Sequence, residues 1–542
     1  MPSSDPVSSP RRHLPLFMRE SWPLAACLTL LLYLLYAFDA NPFRGLDSRW
    51  GDMLIRLRFQ LAMEPRPDPR VFIVGLNTSD LVGASTTEAE YHTYADLFDI
   101  LTGLNVSATG IDLIMARGSE KDARPVIDSI HKNGHIVLAE AQTSTMIERS
   151  FLFAPPSFPS GLINIAADSG GVHRRYSYGV ALGDCKPSLA LATYLASFRP
   201  PKEAACAEGE AFVWKELSAD GLTLLERKVP SQSVLLNFRS PYTQPWDRGF
   251  KYLKAADLRS KYESWLKAGS DPNQISALGL PDRESIVLLG SVATGGGDSG
   301  PTPFGVSEPL LELHATALND LIQRLPLKEA PPLGNLGFTV LGLLLITLAG
   351  RWSPDLPRLL LSCAAVILIM VIAGAALLFK ANIMVAGVTP ALFMAAGVFG
   401  ESGRRATLAS FEKAQLRETL GRYFSPNVLK DVLKNPDSMQ PREADLTVLL
   451  TDVRNFTTIT ERYGTKRMFD LLNEIFEVET KAVIESDGSM EHFVGDQFLA
   501  YWGAPQEQPD AADRALQSAE RIINGLDKLH ATLEPAVKEL FG

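Results

Sequence analysis

VLLTDVRNFTTITERYG, residues 448–464, ends an apolar run on an aspartate and follows it with a basic, polar turn that leads into a helix. Residues 446–450 have strand character, and Asp452 falls where that strand ends. Thr460 is the expected cap of a helix whose Met468, Leu472, Ile475 and Phe476 share one face. A carboxylate at a strand end, beside the backbone N–H groups of a short turn, can hold Mg²⁺ while the turn cradles phosphate oxygens. A single aspartate is weak evidence, because Asp is common at turns for local reasons. The second signal is SMEHFVGDQFLAYWGAP, residues 489–505, where MEHFV and FLAYW are joined through Gly495-Asp496. That is the pattern of a tight hairpin, and by itself the Gly-Asp is a plain turn. Laid beside the first strand, the hairpin would bring Asp496 to Asp452, and the pair could share two cations.

The whole chain, 542 residues of which 46% are hydrophobic, has room for about three or four domain-sized units. Its formal charge of −10 and the lack of a Lys/Arg stripe argue against nucleic acid as a partner. Four segments, 22–38, 333–350, 359–379 and 381–400, are apolar enough to be expected to cross a bilayer. The first lacks a small-residue cleavage site, which favours an uncleaved anchor over a signal peptide. Arg11, Arg12 and Arg19 precede the first span, Arg351 and Arg358 lie between the second and third, and Arg404 and Arg405 follow the fourth. The positive-inside rule then places residues 1–21 and everything after 401 in the cytoplasm and exports 42–331. The expectation is a multi-pass protein of a bacterial-type inner (plasma) membrane, in contact with lipid. Cys185 and Cys206 fall in the exported part, where an even pair suggests one disulfide, the alternative being two buried thiols.

Within 42–331, RVFIVGL, a helical pattern near 91–101, ATGIDLIM and HIVLAEA alternate as in an α/β or α+β sensor fold. SVLLNFRS and ESIVLLGSV are expected to extend the sheet. ATGGGDSGPTPFG, residues 293–305, is a loop; it lacks the GK[ST] ending of a phosphate cradle and reads as a plain turn. VFIVGLN, TGIDLIM, LLNFRSP and the ending GSVATGGGDSGPTPFG…ELHATALNDLI resemble the CHASE type-2 (CHASE2) extracellular sensor over roughly 42–325. That family typically sits between one N-terminal and three C-terminal spans. Asn77 and Thr78 stand where it often has acidic residues.

Residues 401–440 read as a signalling helix linker carrying Leu408, Phe411, Leu416 and Leu420. Without a clean heptad, this helix is equally a parallel coiled coil between two subunits or a solvated linker. Ser425-Pro426 ends one helix and starts the next. TDVRNFT and FVGDQFLAYWGAP, with RYFSP upstream and QPDAADRALQSAERI downstream, resemble the two metal motifs of class III nucleotide cyclases, at 441–542. The whole is then a multidomain α/β membrane protein: an exported α/β sensor, four transmembrane helices (22–38 and three within 333–400) and a partial ferredoxin-like α+β class III cyclase module.

This resemblance implies that Asp452, Asp496 and the Val453 carbonyl hold two Mg²⁺ or Mn²⁺ ions, and that the amides of Asn455, Phe456 and Thr457 contact the triphosphate of ATP or GTP. In that family the ribose 3′-oxygen attacks the α-phosphorus and pyrophosphate leaves, with two metals stabilising the charge. His492 occupies the place where adenylate cyclases commonly carry a base-reading lysine, so base choice stays open between a purine contact and an exposed polar residue. KLHATLEPAVKELFG supplies neither the asparagine nor the arginine that stabilises the family's transition state, so the module is expected to be truncated at its C-terminus. Partners are accordingly a second copy in a homodimer, or a complete cyclase in a heterodimer. The competing class is a non-catalytic receptor. VGDQF is not the GG[DE]EF of a diguanylate cyclase, and the glycine boxes of a histidine kinase are missing.

Overall fold

The computed structural model describes residues 22–37, 41–77, 86–115, 117–142, 147–149, 151, 153, 158–168, 170–182, 184–207, 211–217, 224–241, 248–292, 298–353, 355–421, 424–426, 428–430, 443–533, 535 and 538. Two compact units emerge, Arg19–Glu401 and a second that contains Ser402–Gly542. The calls on residues 1–21, on Thr78, on 293–297 and on 431–442 lie outside the described residues.

The first unit is built on a seven-stranded sheet. Val71–Leu76 lies between Lys251–Lys254 and Ile286–Ser291; Ala108–Asp112, Ile136–Gln142 and Ile147–Arg149 continue the order, and Ser160–Leu162 also pairs with Ile136–Gln142. Every pairing is parallel except that of Ile147–Arg149. Parallel strands covered on both faces read as continuous apolar runs, as VFIVGL does, and their side chains alternate between two cores. Val71, Ile73, Ala108, Ile286 and Leu288 enter one core with helices Arg44–Gln60, Leu189–Ala196 and Leu311–Gln323. Phe72, Val74, Ile111, Val287 and Leu289 enter the other with Thr87–Gly103, Glu120–Lys132 and Ala255–Lys267. The result is a three-layer, doubly wound α/β domain.

SVLLNFRS departs from expectation: Val234–Leu235 pairs antiparallel with Arg175–Tyr176 and stays out of the large sheet. The run's next residues, Asn237 and Arg239, carry buried polar side chains that serve a hydrogen-bond network instead. Cys206, on the strand Ala205–Ala207, is disulfide-bonded, whereas Cys27 and Cys363 carry thiols; the side chain of Cys185 lies outside the described residues.

Two helices, Pro332–Trp352 and Leu356–Ala381, are long and apolar enough to cross a bilayer, at roughly 1.5 Å per residue. The first apolar segment forms the shorter helix Trp22–Ala37. The apolar run 381–400 is not one helix. Asn382 caps Leu356–Ala381 in the left-handed conformation, Ile383–Met384 pairs with Lys328–Glu329, and the next helix begins only at Val388, continuing to Leu420. Asparagine tolerates that conformation better than other non-glycine residues, which is why the break falls there.

In the second unit, the sheet order is Thr447–Thr451, Gln497–Trp502, Ser489–Val494, all antiparallel. Helices Thr465–Glu485 and Ala511–Thr532 cover one face around Val483, Phe498, Ala500, Trp502 and Ala515. Trp502 is fully buried, and its indole N–H donates to the Ser486 carbonyl at 2.9 Å. The opposite face leaves Val448 and Leu450 exposed.

Candidate functional site

The strand Thr447–Thr451 pairs along its length with Gln497–Trp502, Thr451 lying opposite Phe498. That register sets the residue after one strand, Asp452, beside the residue before the other, Asp496. Gly495 has φ +66°, so the two-residue connection from Val494 to Gln497 turns through a backbone conformation that a glycine adopts without steric cost. The two carboxyl groups are close enough for each to bear on the other's ionisation. The adjoining Asp496 carboxyl, through the proton the two can share, then desolvation and the charge of Asp496, raises the Asp452 carboxyl above its ordinary range, while the Val453 backbone opposes the shift. Two carboxylates held close together disfavour ionisation of both, and a divalent cation placed there would relieve that repulsion.

The turn after Asp452 differs from expectation. Asn455, not Thr460, is the cap of the helix Phe456–Tyr463; it takes φ +59° and makes no side-chain capping bond. Thr460 lies inside that helix, its hydroxyl donating to the Phe456 carbonyl at 2.7 Å. A second helix then starts at Thr465, with Met468, Leu472 and Ile475 buried along its face. The Val453 carbonyl accepts the Phe456 N–H at 3.3 Å, so of the three amides expected to face phosphate this one has a partner within the turn. Asn455 and Thr457 are exposed. His492 is half-exposed on its strand, its Nδ1 3.9 Å from the Glu491 carboxylate.

One residue was missed from sequence. Glu479 looks like part of the polar face of its helix but is 3% exposed, with Oε2 buried and without a hydrogen bond among the described residues. Burial raises its carboxyl, and the Thr451 hydroxyl, one residue before Asp452, opposes the shift. Its spacing of four from Ile475 and Val483, which are both buried, was the available signal. Among the described residues, no group of three or more His, Cys, Asp or Glu side chains is placed to hold a metal ion.

The first unit has its own polar cluster where its central strands end. Asp112 is 5% exposed; its Oδ2 lies 3.8 Å from His314 Nε2, and His314 Nδ1 is 2.7 Å from the Tyr176 hydroxyl. Burial, with the charge of Asp298, pushes the Asp112 carboxyl well up. Burial likewise raises Glu312 and lowers His314 to about 3.

The chain thus carries a doubly wound α/β domain with apolar helices, followed by a small α+β unit with two aspartates at neighbouring strand ends. The CHASE2 domain family matches residues 25–349, more than half of the chain, and the chain belongs to that family. It is also similar to adenylate cyclase 1 of Rhizobium meliloti (strain 1021), 29% identical over 87 residues, which make up 16% of this chain and 13% of that protein. A photoactivated adenylate cyclase subunit alpha of Euglena gracilis is 26% identical over 90 residues, 17% of this chain and 8% of that protein. The matched stretch thus spans under one seventh of either relative. Among solved structures, a bacterial light-regulated adenylyl cyclase aligns over 25% of this chain and 38% of its own, at 20% identity and a TM-score of 0.20.

Proposed function

We propose that this chain is a receptor-type adenylate cyclase, converting ATP to cyclic AMP and pyrophosphate under the control of its CHASE2 sensor. What carries this is the meeting of Asp452 and Asp496 at neighbouring strand ends, where each bears on the other's ionisation. Mg²⁺ takes one or two protein carboxylates and completes its shell with water and phosphate oxygens, so a two-aspartate donor set fits it or Mn²⁺. Asp452, Asp496 and the Val453 carbonyl would hold the ions. Bound there, two divalent cations would activate the attacking hydroxyl and stabilise charge on the phosphates.

The chain's own residues orient the substrate. The turn through Asn455 and Thr457 offers exposed backbone donors at a helix start, which favour phosphate oxygens. His492 is available to a purine edge, so GTP is the alternative substrate. In the membrane arrangement proposed here, four spans carry residues 42–331 outside and the paired aspartates inside.

A second reading has an observation of its own: Val448 and Leu450 on the sheet, with Phe411 and Leu416 on the preceding helix, are exposed apolar side chains suited to a partner. In it, the chain is a non-catalytic receptor that pairs with a complete cyclase. The test is cyclic nucleotide production by membranes containing the chain, given ATP or GTP with Mn²⁺, beside Asp452→Ala. Product that disappears in the variant supports the cyclase. Folded protein without product favours the second reading, and product unaffected by Asp452→Ala removes the proposed metal site.

A further inference from the structure

A cavity of about 450 Å³ lies in the first unit where three chain segments meet the apolar helices. One wall is the helix Arg44–Gln60, which follows Trp22–Ala37; another is 329–335, where Pro332–Trp352 starts; the third is 384–386, between Leu356–Ala381 and Val388–Leu420. Strands of the sensor domain close the remaining side through Arg174, Arg175 and Leu235. A volume of this size suits a small ligand.

The walls are tightly joined. Asp47 Oδ1 accepts the N–H groups of Gly387, Val388 and Thr389 at 3.1, 2.8 and 3.0 Å, and Oδ2 accepts the Thr389 hydroxyl at 2.5 Å. Trp50 is seated on Gly387 and Met384 on Gly51: a Cβ at either glycine would come within 2.2 Å of Trp50 Nε1 or 2.7 Å of Met384 Sδ. The cavity therefore touches the joint that holds the start of the 33-residue helix Val388–Leu420.

Its hydrogen-bonding capacity is unbalanced. Four carboxylates line it against three guanidinium groups, yet the carboxylates are largely occupied. Asp47 faces a helix N-terminus, which offsets its charge. Asp52 accepts two bonds from Arg174, and Asp168 accepts from Arg174 and Gly170. Glu329 pairs with Arg175 at the half-exposed mouth. Of the five N–H donors of a guanidinium, Arg174 uses three and Arg175 two among the described residues, with Ser233 and Glu329 as the acceptors of the latter. Both arginines line the cavity together with Ile55, Phe238 and Val385.

We propose that this cavity binds an amphiphile with an anionic phosphate or carboxylate head, held by Arg174 and Arg175 with its apolar body against Ile55, Phe238 and Val385. Such a molecule reaches the site either as an anionic phospholipid of the outer leaflet or from solution. Bound there, it bears on the Asp47 joint and thereby on the helix that leads out of the sensor.

The test uses the full chain in phosphatidylcholine nanodiscs, with thermal unfolding followed by tryptophan fluorescence and octyl phosphate as the probe. The expected result is a saturable rise in Tm that neither octanol nor inorganic phosphate reproduces at the same concentration. Arg175→Gln is expected to weaken the octyl phosphate response roughly tenfold, and Arg175→Lys to restore part of it. Ser48→Phe, which fills the cavity and leaves both arginines in place, is expected to abolish it. Discs containing phosphatidylglycerol distinguish the sources: a raised starting Tm with no further gain from octyl phosphate identifies the lipid, and an undiminished gain identifies a dissolved ligand. No saturable shift under any of these conditions, an equal shift with octanol, or an unchanged shift in Arg175→Gln overturns the proposal.

Discussion

Asp452 lies beside Asp496 at neighbouring strand ends, and the adjoining carboxyl raises the Asp452 carboxyl above its ordinary range. Asp496→Asn removes the neighbouring charge, so Asp452 is expected to return toward the ordinary carboxylate range. Carboxyl NMR of protein labelled at aspartate would follow this, and an unmoved Asp452 titration would show that the two groups are not coupled. Addition of Mg²⁺ to the wild-type protein should have the same direction of effect, releasing protons as it binds. The pairing itself was legible, because a strand ending at Asp452 and a Gly-Asp hairpin are local patterns. Glu479 was not: whether a glutamate on an amphipathic helix meets water depends on what covers it, and here the strand end at Thr451 lies beside it.

At the scale of elements, two packing joints carry measurable weight. Trp502 anchors the small sheet to the helix Thr465–Glu485 through its buried ring and its bond to Ser486. Trp502→Ala is expected to destabilise the second unit by about 3–5 kcal/mol. Trp502→Phe, which retains most of the apolar contact, should cost about 1–2 kcal/mol from the smaller ring and the carbonyl left unpaired. Denaturant unfolding of the two variants checks both values, and a cost of Trp502→Phe equal to that of Trp502→Ala would contradict this division. The second joint is Asp47 at the start of Val388–Leu420. Asp47→Ala removes a capping carboxylate, a loss of about 1–2 kcal/mol, so amide exchange at residues 387–389 is expected to accelerate roughly tenfold. Local periodicity could find the helices but not this joint. The break at Asn382 that creates it falls within an apolar run that reads as a single span.

For the sensor domain as a whole, two buried groups give opposing pH dependences. His314 is held neutral down to about 3, whereas in the unfolded chain it takes up a proton near 6.5. Because the unfolded state binds that proton first, stability declines as pH falls from about 6.5 toward 3, by up to roughly 4 kcal/mol. Asp112, raised by burial and by Asp298, has the reverse sign: the folded state keeps its proton after the unfolded state has lost it, so stability declines as pH rises above the ordinary carboxylate range. Between about pH 4 and 6.5 the two slopes oppose each other. Asp112→Asn should leave the decline toward acid, and His314→Gln the decline toward neutrality. Chemical unfolding across that pH window measures both, and parallel curves for the two variants would show that these groups do not govern it.

The amino-acid sequence by itself determined the alternation of strand and helix, the two apolar helices and the position of the Gly-Asp hairpin. Each of these is set by side-chain periodicity and turn chemistry within a few residues. The tertiary structure decided which polar groups are buried together. Asp47 meets Val388 across 341 positions and Arg58 meets Asn382 across 324, and Val234–Leu235 leaves the large sheet for a strand some 60 residues earlier. Such groups are stable in the interior only with hydrogen-bond partners, and those partners come from chain segments brought together when the sheet closes over its two cores. Their identity is therefore a property of the whole fold, invisible in any window of sequence.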